Sequence, residues 1–499
     1  MNIKTVEKNF RKIVSKENVL NNLLSLLYWD GVTGAPTDSI EMRAKTSEIL
    51  SEDIYEVLTS KELIEYADII IENKESVEAI NYALAVDIRK EQRKIAKISR
   101  EEYGEFAALC SKSEFIWEQA KEENNYEKFY PYLEKIVEFQ KKFINARGYE
   151  GHPYNTLLDD YEPGMTVEKL DKFFEELKSE LVPFAKKICS VNADNFKLKN
   201  ITISIEKQKE FNEFLLNHIG YNFDAGMVKE SEHPFTIGFG PSDVRITTHY
   251  YEDNFLSAIY STIHEAGHAI YEQNIDKVLE GTRMATGSSM GIHESQSRMF
   301  ENVFGRSREF WKPVYGKLKE IAVNQLNDIS EEEFYQEINK VKFSEIRIES
   351  DELTYTLHIM VRYEIEKGIF DGSIDIKKLP EIWNEKYKEY LGVIPENYSK
   401  GVLQDSHWAG GLFGYFPSYA IGNAYSIQIV NEMKKEIELE ECLINGKYEE
   451  INSWLKKNIH KYGKMKSAEE IIKEIAGEGL NSKYYIEYLK NKFTEIYFK

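Results

Sequence analysis

Proline is scarce along this chain, and apolar residues recur at helical spacing over long stretches. There are 11 prolines in 499 residues, and proline is the residue that most strongly interrupts a helix. The 3.6-residue period is clear in two segments, namely Leu24, Leu27 and Tyr28 near the start and Phe211, Phe214, Leu215, His218 and Ile219 in the middle. Such periodicity is typical of amphipathic helices. We therefore expect a mainly α-helical protein.

Turn-rich segments interrupt the helices without separating the chain into distant units. Breaks rich in glycine fall near residues 148–164, 281–291 and 401–414. Glycine clusters between periodic segments mark turns. None of these breaks has the composition of a long flexible linker, and the sequence shows no internal repeat or low-complexity tract. We predict one helical domain over residues 1–499, or two helical lobes packed closely together.

The composition and the charge exclude several classes of protein. Hydrophobic residues make up 42% of the chain and aromatic residues 13%, which is enough for a large core and argues against disorder. The formal charge of −21 disfavours nucleic acids and anionic membranes as partners. No segment approaches the ~18 consecutive apolar residues of a membrane span. We expect no nucleic-acid partner and no membrane partner.

The cysteines and the N-terminus favour a reducing compartment. Cys110, Cys189 and Cys442 are far apart and odd in number, which fits neither a disulfide framework nor a C-x-x-C metal site. Residues 1–8 lack the apolar segment of a signal peptide,. We therefore predict a cytoplasmic location.

One segment alternates with the period of a strand. The alternating residues lie on both sides of a turn at residues 240–243, namely Phe235, Ile237 and Phe239 before it and Val244, Ile246 and Thr248 after it. This pattern predicts a β-hairpin with a four-residue connection. The hairpin ends shortly before His264. Its edge could bind an extended peptide, or the hairpin could be purely structural, and the two interpretations are compatible.

The segment His264-Glu265-Ala266-Gly267-His268 carries the strongest chemical signal in the chain. Positions i and i+4 share one face of a helix, so the two imidazoles can bind one metal ion. Glu265 is then placed to activate a water at that ion. This H-E-x-x-H arrangement is typical of zinc peptidases. A buried helix with two hydrogen-bonded histidines is the structural alternative.

A catalytic zinc site usually has a third protein ligand. A metzincin would have glycine at position 271 and histidine at position 274, but this chain has Tyr271 and Asn274, which excludes that class. Glu272 is the next acidic residue along the helix. It lies ~12 Å from His264 along the helix axis, which is too far to share one ion. The third ligand should therefore come from a later element.

A second helix is expected to begin near Gly291, after the break at residues 281–291. Glu294 lies near the start of that helix and is the predicted third ligand. Glu301, two turns further along the same face, and His293 are the competing candidates. The structural alternative for Glu294 is a helix-terminal carboxylate without a metal.

Further motifs surround these two helices in the order that one enzyme family shows. Beside His264–His268 and His293-Glu294-Ser295-Gln296, the matching segments are His233-Pro234-Phe235, Asp243-Val244-Arg245-Ile246-Thr247, Ile346-Arg347-Ile348-Glu349-Ser350-Asp351, Gly401-Val402-Leu403-Gln404-Asp405-Ser406-His407-Trp408, and Trp29 and Asp30 with Thr33, Pro36, Arg43 and Ala44. Ser350 stands where alanine is usual. The chain thus resembles the carboxypeptidase Taq family of thermostable metallocarboxypeptidases over most of its length.

The resemblance implies an architecture and an activity. Members are similar in fold to angiotensin-converting enzyme and neurolysin, with a large helical body split by a deep groove and zinc at its floor. They remove single residues from the C-termini of peptides with broad specificity, and they are commonly homodimers. The resemblance implies one Zn²⁺ per chain, bound by His264, His268 and Glu294, with Glu265 as the base. Co²⁺ or Mn²⁺ could replace zinc at such a site.

The segment 404–419 is the expected source of hydrogen-bond donors for the oxyanion of the reaction. Preorganised donors often make the largest contribution to catalysis, and the glycines of this segment permit close approach to a substrate. By resemblance to the histidine and tyrosine donors of related helical zinc peptidases, we predict His407 and Tyr419, with Tyr415 as the alternate. Each of them could instead be a buried, hydrogen-bonded aromatic residue.

An enzyme that trims C-termini must also bind a free carboxylate, and the planar fork of arginine suits this task. We predict Arg347 as the first choice and Arg245 as the second. An ion pair with a neighbouring aspartate is the structural alternative for either arginine. His233, Gln404 and Asp405 belong to the same motifs and are predicted to contact substrate as well.

Two other functions are compatible with parts of this pattern. An oligopeptidase would use the same zinc chemistry to cleave internal bonds of short peptides. A non-catalytic helical scaffold would retain the motifs without activity. The presence of ligands, base and candidate donors together disfavours the scaffold, and the oligopeptidase stays as the alternative to the predicted metallocarboxypeptidase.

Overall fold

The computed structural model describes residues 2–95, 97–191, 197–198 and 201–499. It is mainly α-helical, as predicted, and carries one small sheet. The first nine helices are α1 (Ile3–Thr33), α2 (Ile40–Leu58), α3 (Lys61–Glu72), α4 (Ala79–Ile95), α5 (Arg100–Glu122), α6 (Tyr126–Arg147), α7 (Asn155–Tyr161), α8 (Val167–Val191) and α9 (Ile205–Ile219).

In the sequence, the strands of the sheet follow these nine helices and precede the helices of the second half of the chain. Its strands are β1 (Val228–Glu230), β2 (Thr236–Gly238) and β3 (Val244–Thr248). The helices that follow are α10 (Phe255–Gln273), α11 (Met290–Arg298), α12 (Arg308–Ile321), α13 (Val323–Leu326), α14 (Glu331–Ile338), α15 (Tyr355–Asp371), α16 (Leu379–Leu391), α17 (Phe416–Glu436), α18 (Leu439–Ile444), α19 (Tyr448–Asn458), α20 (Ala468–Ala476) and α21 (Ser482–Phe498).

Strand β3 is the centre of the sheet, which has the order β1-β3-β2. Strands β2 and β3 are antiparallel and form the predicted hairpin, with Thr236 opposite Ile246. Strand β1 pairs with β3 in parallel, with Val228 opposite Ile246. This third strand was not predicted, because three residues are too few to show an alternating pattern. Strand β3 packs against α10, so the sheet lies beside the helix that carries the two histidines.

Most buried apolar side chains form one large hydrophobic cluster, which includes the interior faces of α10, α11, α15 and α17. A second, smaller cluster joins α1, α3 and α4 to residues just after α10. It contains Phe10, Leu63 and Leu84 from the helices, and Ile275 and Leu279 from the later segment. The helix predicted around Tyr28 is present, but the ring of Tyr28 is exposed and packs edge-on against Phe235.

Helix α11 lies between α10 and α17, and glycine permits the close approach on both sides. A methyl group at Gly267 of α10 would lie 2.7 Å from the Cα of Ser297. A methyl group at Gly422 of α17 would lie 2.6 Å from the Cβ of Glu294. Any larger residue at either position would force backbone or side-chain movement in α11. Within the described residues, no helix combines the length and the apolar character needed to cross a membrane.

Candidate metal centre

Helix α10 presents His264 and His268 on the one side that is not covered by the core. Ile263, Ala266 and Ala269 are fully buried on the opposite side. The two histidine side chains keep 19% and 16% of their surface exposed, and their ring centroids are 4.9 Å apart. The i, i+4 spacing therefore places both imidazoles together, as the sequence predicted.

Helix α11 brings Glu294 to the same point. The helix begins where predicted, because the side chain of Ser289 accepts a hydrogen bond from the backbone N–H of Ile292 and caps its start,. The Oε2 atom of Glu294 lies 3.8 Å from His264 Nε2 and 3.6 Å from His268 Nε2. One potential ligand atom from each of the three side chains lies within 4.8 Å of the others. With metal–ligand bonds of about 2.0–2.2 Å, this spacing and this donor set fit one divalent ion.

Arg298 and Glu301 hold two of these three side chains. Arg298 donates from Nε to Glu294 Oε1 at 2.6 Å and from one terminal nitrogen to Glu301 Oε2 at 3.1 Å. Glu301 Oε2 also lies 2.8 Å from His264 Nδ1. Burial opposes ionisation of Glu294, but Arg298 and the two histidines outweigh it and hold the pKa of Glu294 well below its ordinary value,. Glu301, a rival ligand in the sequence, thus contacts the metal site through His264.

The chain reaches this arrangement through a π-helical turn at Met299–Phe304, directly after α11. A π-turn adds a residue to the helical repeat and changes which side chains share a face. Glu301 sits inside this turn and points back to His264. The regular helical period placed Glu301 on the same face as Glu294, but its hydrogen bond to His264 Nδ1 was not predicted; the i, i+4 pairing of Glu294 with Arg298 could have been.

Two other candidates, His293 and Glu272, form a chain behind His268, in which His293 contacts His268 and Glu272 contacts His293. His293 Nε2 lies 2.8 Å from Glu272 Oε1, and His293 Nδ1 lies 2.6 Å from His268 Nδ1. A hydrogen bond donated by His293 Nε2 to the Glu272 carboxylate lets His293 Nδ1 accept from His268 Nδ1. This arrangement leaves His268 Nε2 unprotonated towards Glu294.

Glu265 is buried between α10 and the sheet. The hydroxyl of Thr236 in β2 donates to Glu265 Oε2 at 2.6 Å. Burial raises the pKa of Glu265, against the opposing effects of His264 and of the Thr236 hydrogen bond,. The contact with Thr236 was not predicted, because it depends on how the sheet docks on the helix.

The three predicted oxyanion donors lie together. The His407 Nε2 atom is 3.3 Å from the Tyr419 hydroxyl, and the Tyr415 ring centroid lies 5.2 Å from that of Tyr419 and 5.6 Å from that of His407. Burial, then Arg347, lower the pKa of His407 to about 4, so the ring is neutral at pH 7,. Burial and the charge of Glu294 raise the pKa of Tyr415 to about 12, so its hydroxyl keeps its proton.

Arg347 is buried beside this aromatic group and forms an ion pair with Asp405. Its Nε lies 2.9 Å from Asp405 Oδ1, and its NH1 donates to the Tyr355 hydroxyl at 3.0 Å. Arg362 binds the other oxygen of Asp405. The Arg347 guanidinium lies 5.2 Å from the centre of the Tyr419 ring. Asp405 thus connects two arginines to the segment that carries His407.

The remaining predicted substrate residues lie in other surroundings. Gln404 accepts from the backbone N–H of Arg347 at 2.9 Å and donates to the Tyr387 hydroxyl at 3.1 Å, so it holds the chain around Arg347. Arg245 pairs with Asp243 through two hydrogen bonds of 2.8 and 2.6 Å. His233 is exposed in the loop between β1 and β2.

Comparison with known proteins supports one family for the whole chain. The model of the family described as carboxypeptidase Taq (M32) metallopeptidase matches residues 9–493. The chain is 44% identical to Carboxypeptidase 1 of Bacillus subtilis over 499 residues, which is all of both proteins. It is 36% identical to Thermostable carboxypeptidase 1 of Thermus thermophilus, and this match covers 96% of each protein.

A solved structure agrees with these sequence matches. The M32 carboxypeptidase from Deinococcus radiodurans R1 is similar to this chain with a TM-score of 0.95 and 31% sequence identity, covering 99% of each chain. These relatives favour cleavage at the C-terminus over the internal cleavage of an oligopeptidase. The chain belongs to the carboxypeptidase Taq (M32) family of metallopeptidases and is a metallocarboxypeptidase, a peptide hydrolase that acts at the C-terminus.

Proposed function

We propose that the protein is a zinc carboxypeptidase in which His264, His268 and Glu294 bind the ion and Glu265 is the general base. The observation that carries this proposal is the convergence of the three ligand atoms within 4.8 Å of one another. A His₂Glu set with one position open to water is typical of catalytic zinc. The bound ion would supply Lewis-acid polarisation of the scissile carbonyl and of the attacking water.

Glu265 takes the proton of the attacking water and passes it to the nitrogen of the leaving residue. Its burial supports this role, because a carboxylate in an apolar setting accepts a proton more readily than one in water,. The hydrogen bond from Thr236 fixes one of its oxygens, so the other oxygen is available to the water. Thr236 thus orients the base.

His407 and Tyr419 donate hydrogen bonds to the oxyanion that forms during attack, with Tyr415 as the alternate donor. At pH 7 the two tyrosines keep their hydroxyl protons and the neutral ring of His407 keeps one N–H, so each group can donate to a negative oxygen,. They are partly buried, so water competes less with the substrate for their hydrogen bonds than it would at an exposed site,.

Arg347 is the preferred partner of the substrate carboxylate. It lies beside Tyr419, and a guanidinium has five N–H donors. Those that Asp405 and Tyr355 do not use remain for a ligand. Arg245, which Asp243 holds beside the sheet, is the second candidate, and His233, Gln404 and Asp405 complete the proposed substrate shell. Since β2 is an edge strand, an extended peptide can add alongside it.

The proposal also includes broad side-chain specificity, a homodimer and a cytoplasmic location. The specificity and the homodimer rest on the resemblance to family members, and the location rests on the three free cysteines, Cys110, Cys189 and Cys442,. Co²⁺ or Mn²⁺ could replace zinc.

The variant Glu265→Gln tests the base. We expect it to bind about one metal ion per chain, because the ligands are untouched, and to lose roughly 10²–10⁴-fold in kcat. Metal content by elemental analysis and kcat on a blocked dipeptide are the two measurements. Glu17 is a buried carboxylate that pairs with Arg283, and Glu17→Gln is the control that should keep its kcat. An active Glu265→Gln protein, or a wild type without metal, would contradict the proposal.

Replacing the C-terminal carboxylate of the substrate by an amide tests which arginine binds that carboxylate. A peptide with an amidated C-terminus should be hydrolysed at least about 100-fold more slowly in kcat/KM than the free acid, because charged hydrogen bonds contribute roughly 1.5–3 kcal/mol each. Arg347→Met should reduce that difference, whereas Arg245→Met should not if Arg347 is the receptor. The reverse result would assign the carboxylate to Arg245, and equal cleavage of acid and amide would reject both arginines.

A further inference from the structure

A buried carboxylate outside the metal centre binds both ends of the loop that separates two of the proposed donors. Glu366 of α15 has no exposed surface. Its Oε1 accepts from the indole N–H of Trp408 at 2.7 Å, and its Oε2 accepts from the backbone N–H of Gly414 at 2.8 Å. The hydroxyl of Tyr154 also donates to Oε2.

The two residues that Glu366 binds in this loop are direct sequence neighbours of the proposed donors. Trp408 directly follows His407, and Gly414 directly precedes Tyr415. The loop between them closes on itself, because the backbone N–H of Leu412 donates to the carbonyl of His407 at 2.8 Å. Gly414 has φ +90°, and a side chain there would meet the backbone of Leu157. The loop is therefore held at two points by one side chain.

Both side-chain oxygens of Glu366 must act as hydrogen-bond acceptors. Three N–H or O–H groups point at the carboxylate, and in the described part of the chain no ion pair involves it. The nearest arginine along the helix, Arg362, is committed to Asp405. A buried carboxylate without a cation is costly, and an apolar residue would leave buried donors unsatisfied. An amide could not replace it either, since its NH₂ group would face a donor.

We propose that Glu366 is a positioning residue that orients His407 and Tyr415 by fixing residues 408 and 414. This inference rests on the proposed role of His407, Tyr419 and Tyr415 as oxyanion donors. The loop carries donors that act only as charge develops, so a misplaced loop slows the chemical step without weakening the binding of substrate or metal.

Conservative substitutions of two of the donors test this inference without removing the carboxylate. Trp408→Phe removes the indole N–H, and Tyr154→Phe removes the hydroxyl; neither group is proposed to touch substrate. We expect each variant to lower kcat about tenfold, with KM and the apparent metal affinity changed less than twofold. Glu366→Gln should lose up to about 100-fold in kcat, which is the cost of a displacement near 1 Å.

Tyr363→Phe is the matched control. Tyr363 lies in the same core, with its ring 6.2 Å from that of Tyr154, but its hydroxyl donates to Asp171 on another helix. The Tyr363→Phe variant should lose about as much stability as Tyr154→Phe, and its kcat should stay within twofold of the wild-type value. Melting temperatures of all variants are measured alongside, and the two phenylalanine variants keep the test decisive if Glu366→Gln does not fold.

Two outcomes separate the inference from the proposed function. If His407→Ala and Tyr415→Phe lower kcat but Trp408→Phe and Tyr154→Phe do not, Glu366 has no positioning role and the donor assignment stands. If neither His407→Ala nor Tyr415→Phe changes kcat, these two residues are not donors and the positioning role of Glu366 falls with them, while Tyr419 is tested separately by Tyr419→Phe. Equal losses of kcat in Tyr363→Phe and Tyr154→Phe would show general destabilisation and overturn the inference.

Discussion

Glu265, the proposed catalytic base, receives a side-chain hydrogen bond from a strand and not from its own helix. Thr236 lies in β2 and donates to Glu265 Oε2, whereas helix α10 supplies the backbone position of the glutamate. The threonine hydroxyl also lies 3.0 Å from the Glu265 carbonyl oxygen. The orientation of the base therefore depends on how the sheet docks against α10.

Replacing Thr236 by valine should lower kcat roughly tenfold, because a hydrogen bond to a charged group contributes about 1.5–3 kcal/mol. Metal content and KM should stay at wild-type values, since neither the ligands nor the substrate shell changes. Steady-state kinetics and elemental analysis provide the measurement.

Thr248→Val is the matched control for this change. Thr248 lies in β3 of the same sheet, and its hydroxyl contacts the hydroxyls of Ser261 and Thr262 in the middle of α10 and not the Glu265 carboxylate. An equal loss of kcat in Thr236→Val and Thr248→Val would indicate that both changes weaken the packing of the sheet against α10. The prediction that Thr236 specifically orients Glu265 would then be wrong.

At the level of single residues, the spacing of neighbouring residues predicted the side-chain positions that depend on helix geometry alone. The i, i+4 pair His264 and His268 and the position of Glu294 after a glycine-rich break are properties of neighbouring residues, and the structure brings these side chains together. The partner of Arg347 could not be found this way. It is Asp405, which is distant in sequence, and not the nearby Asp351, whose side chain accepts from backbone N–H groups at the start of α15.

Helix α11 shows how two neighbouring elements determine the position of one ligand. Gly267 of α10 and Gly422 of α17 let both helices approach α11 closely, and the second glycine packs directly against Glu294. The π-helical turn after α11 then directs Glu301 to His264. The helices themselves were predictable from periodicity, but the π-turn and strand β1 were not, because they depend on packing between elements.

Gly422→Ala should weaken metal binding about tenfold. A methyl group there would meet the Cβ and Cγ of Glu294 at 2.6 and 2.7 Å, so the ligand must move from the two histidines. Competition with a chromophoric chelator measures the affinity of the metal-free protein.

The same substitution at Gly316 provides the control. Gly316 is also helical, in α12, and a methyl group there meets nothing within 4 Å. Gly316→Ala should raise stability by up to about 1 kcal/mol through helix propensity and leave metal affinity unchanged. Unchanged affinity in Gly422→Ala as well would show that Glu294 adapts freely.

Across the whole molecule, a buried ion network ties the N-terminal helices to the C-terminal region. Arg283 donates to Glu17 at 2.6 Å and to Asp87 at 2.9 Å, and Lys464 lies 2.9 Å from the other oxygen of Asp87. Glu17 is fully buried. The network lies beside the smaller hydrophobic cluster, so charge and apolar packing together hold α1 and α4 in place.

Arg283→Met should destabilise the protein by about 3–5 kcal/mol, because it leaves Glu17 as a buried charge without a cation. Hydrogen exchange should rise in α1 and α4 before it rises in α11 and α17, which pack in the larger cluster,. Denaturant unfolding and mass-spectrometric exchange give the two readouts.

The exposed pair Lys45 and Glu48 is the control. Lys45→Met should change stability by less than about 1 kcal/mol, as expected for a surface ion pair. Uniform loss of protection throughout Arg283→Met would mean that the two clusters unfold as one unit.

The smaller cluster also limits how far this enzyme can be shortened. Ile275, Leu279 and Met284 follow the metal-binding helix directly and fill their side of the cluster against α1, α3 and α4. A chain that started at α5 would expose these residues to water and would acquire an apolar patch prone to aggregation just after the end of α10,. The first four helices therefore cover an apolar surface of the rest of the molecule, and we expect a fragment without them to aggregate.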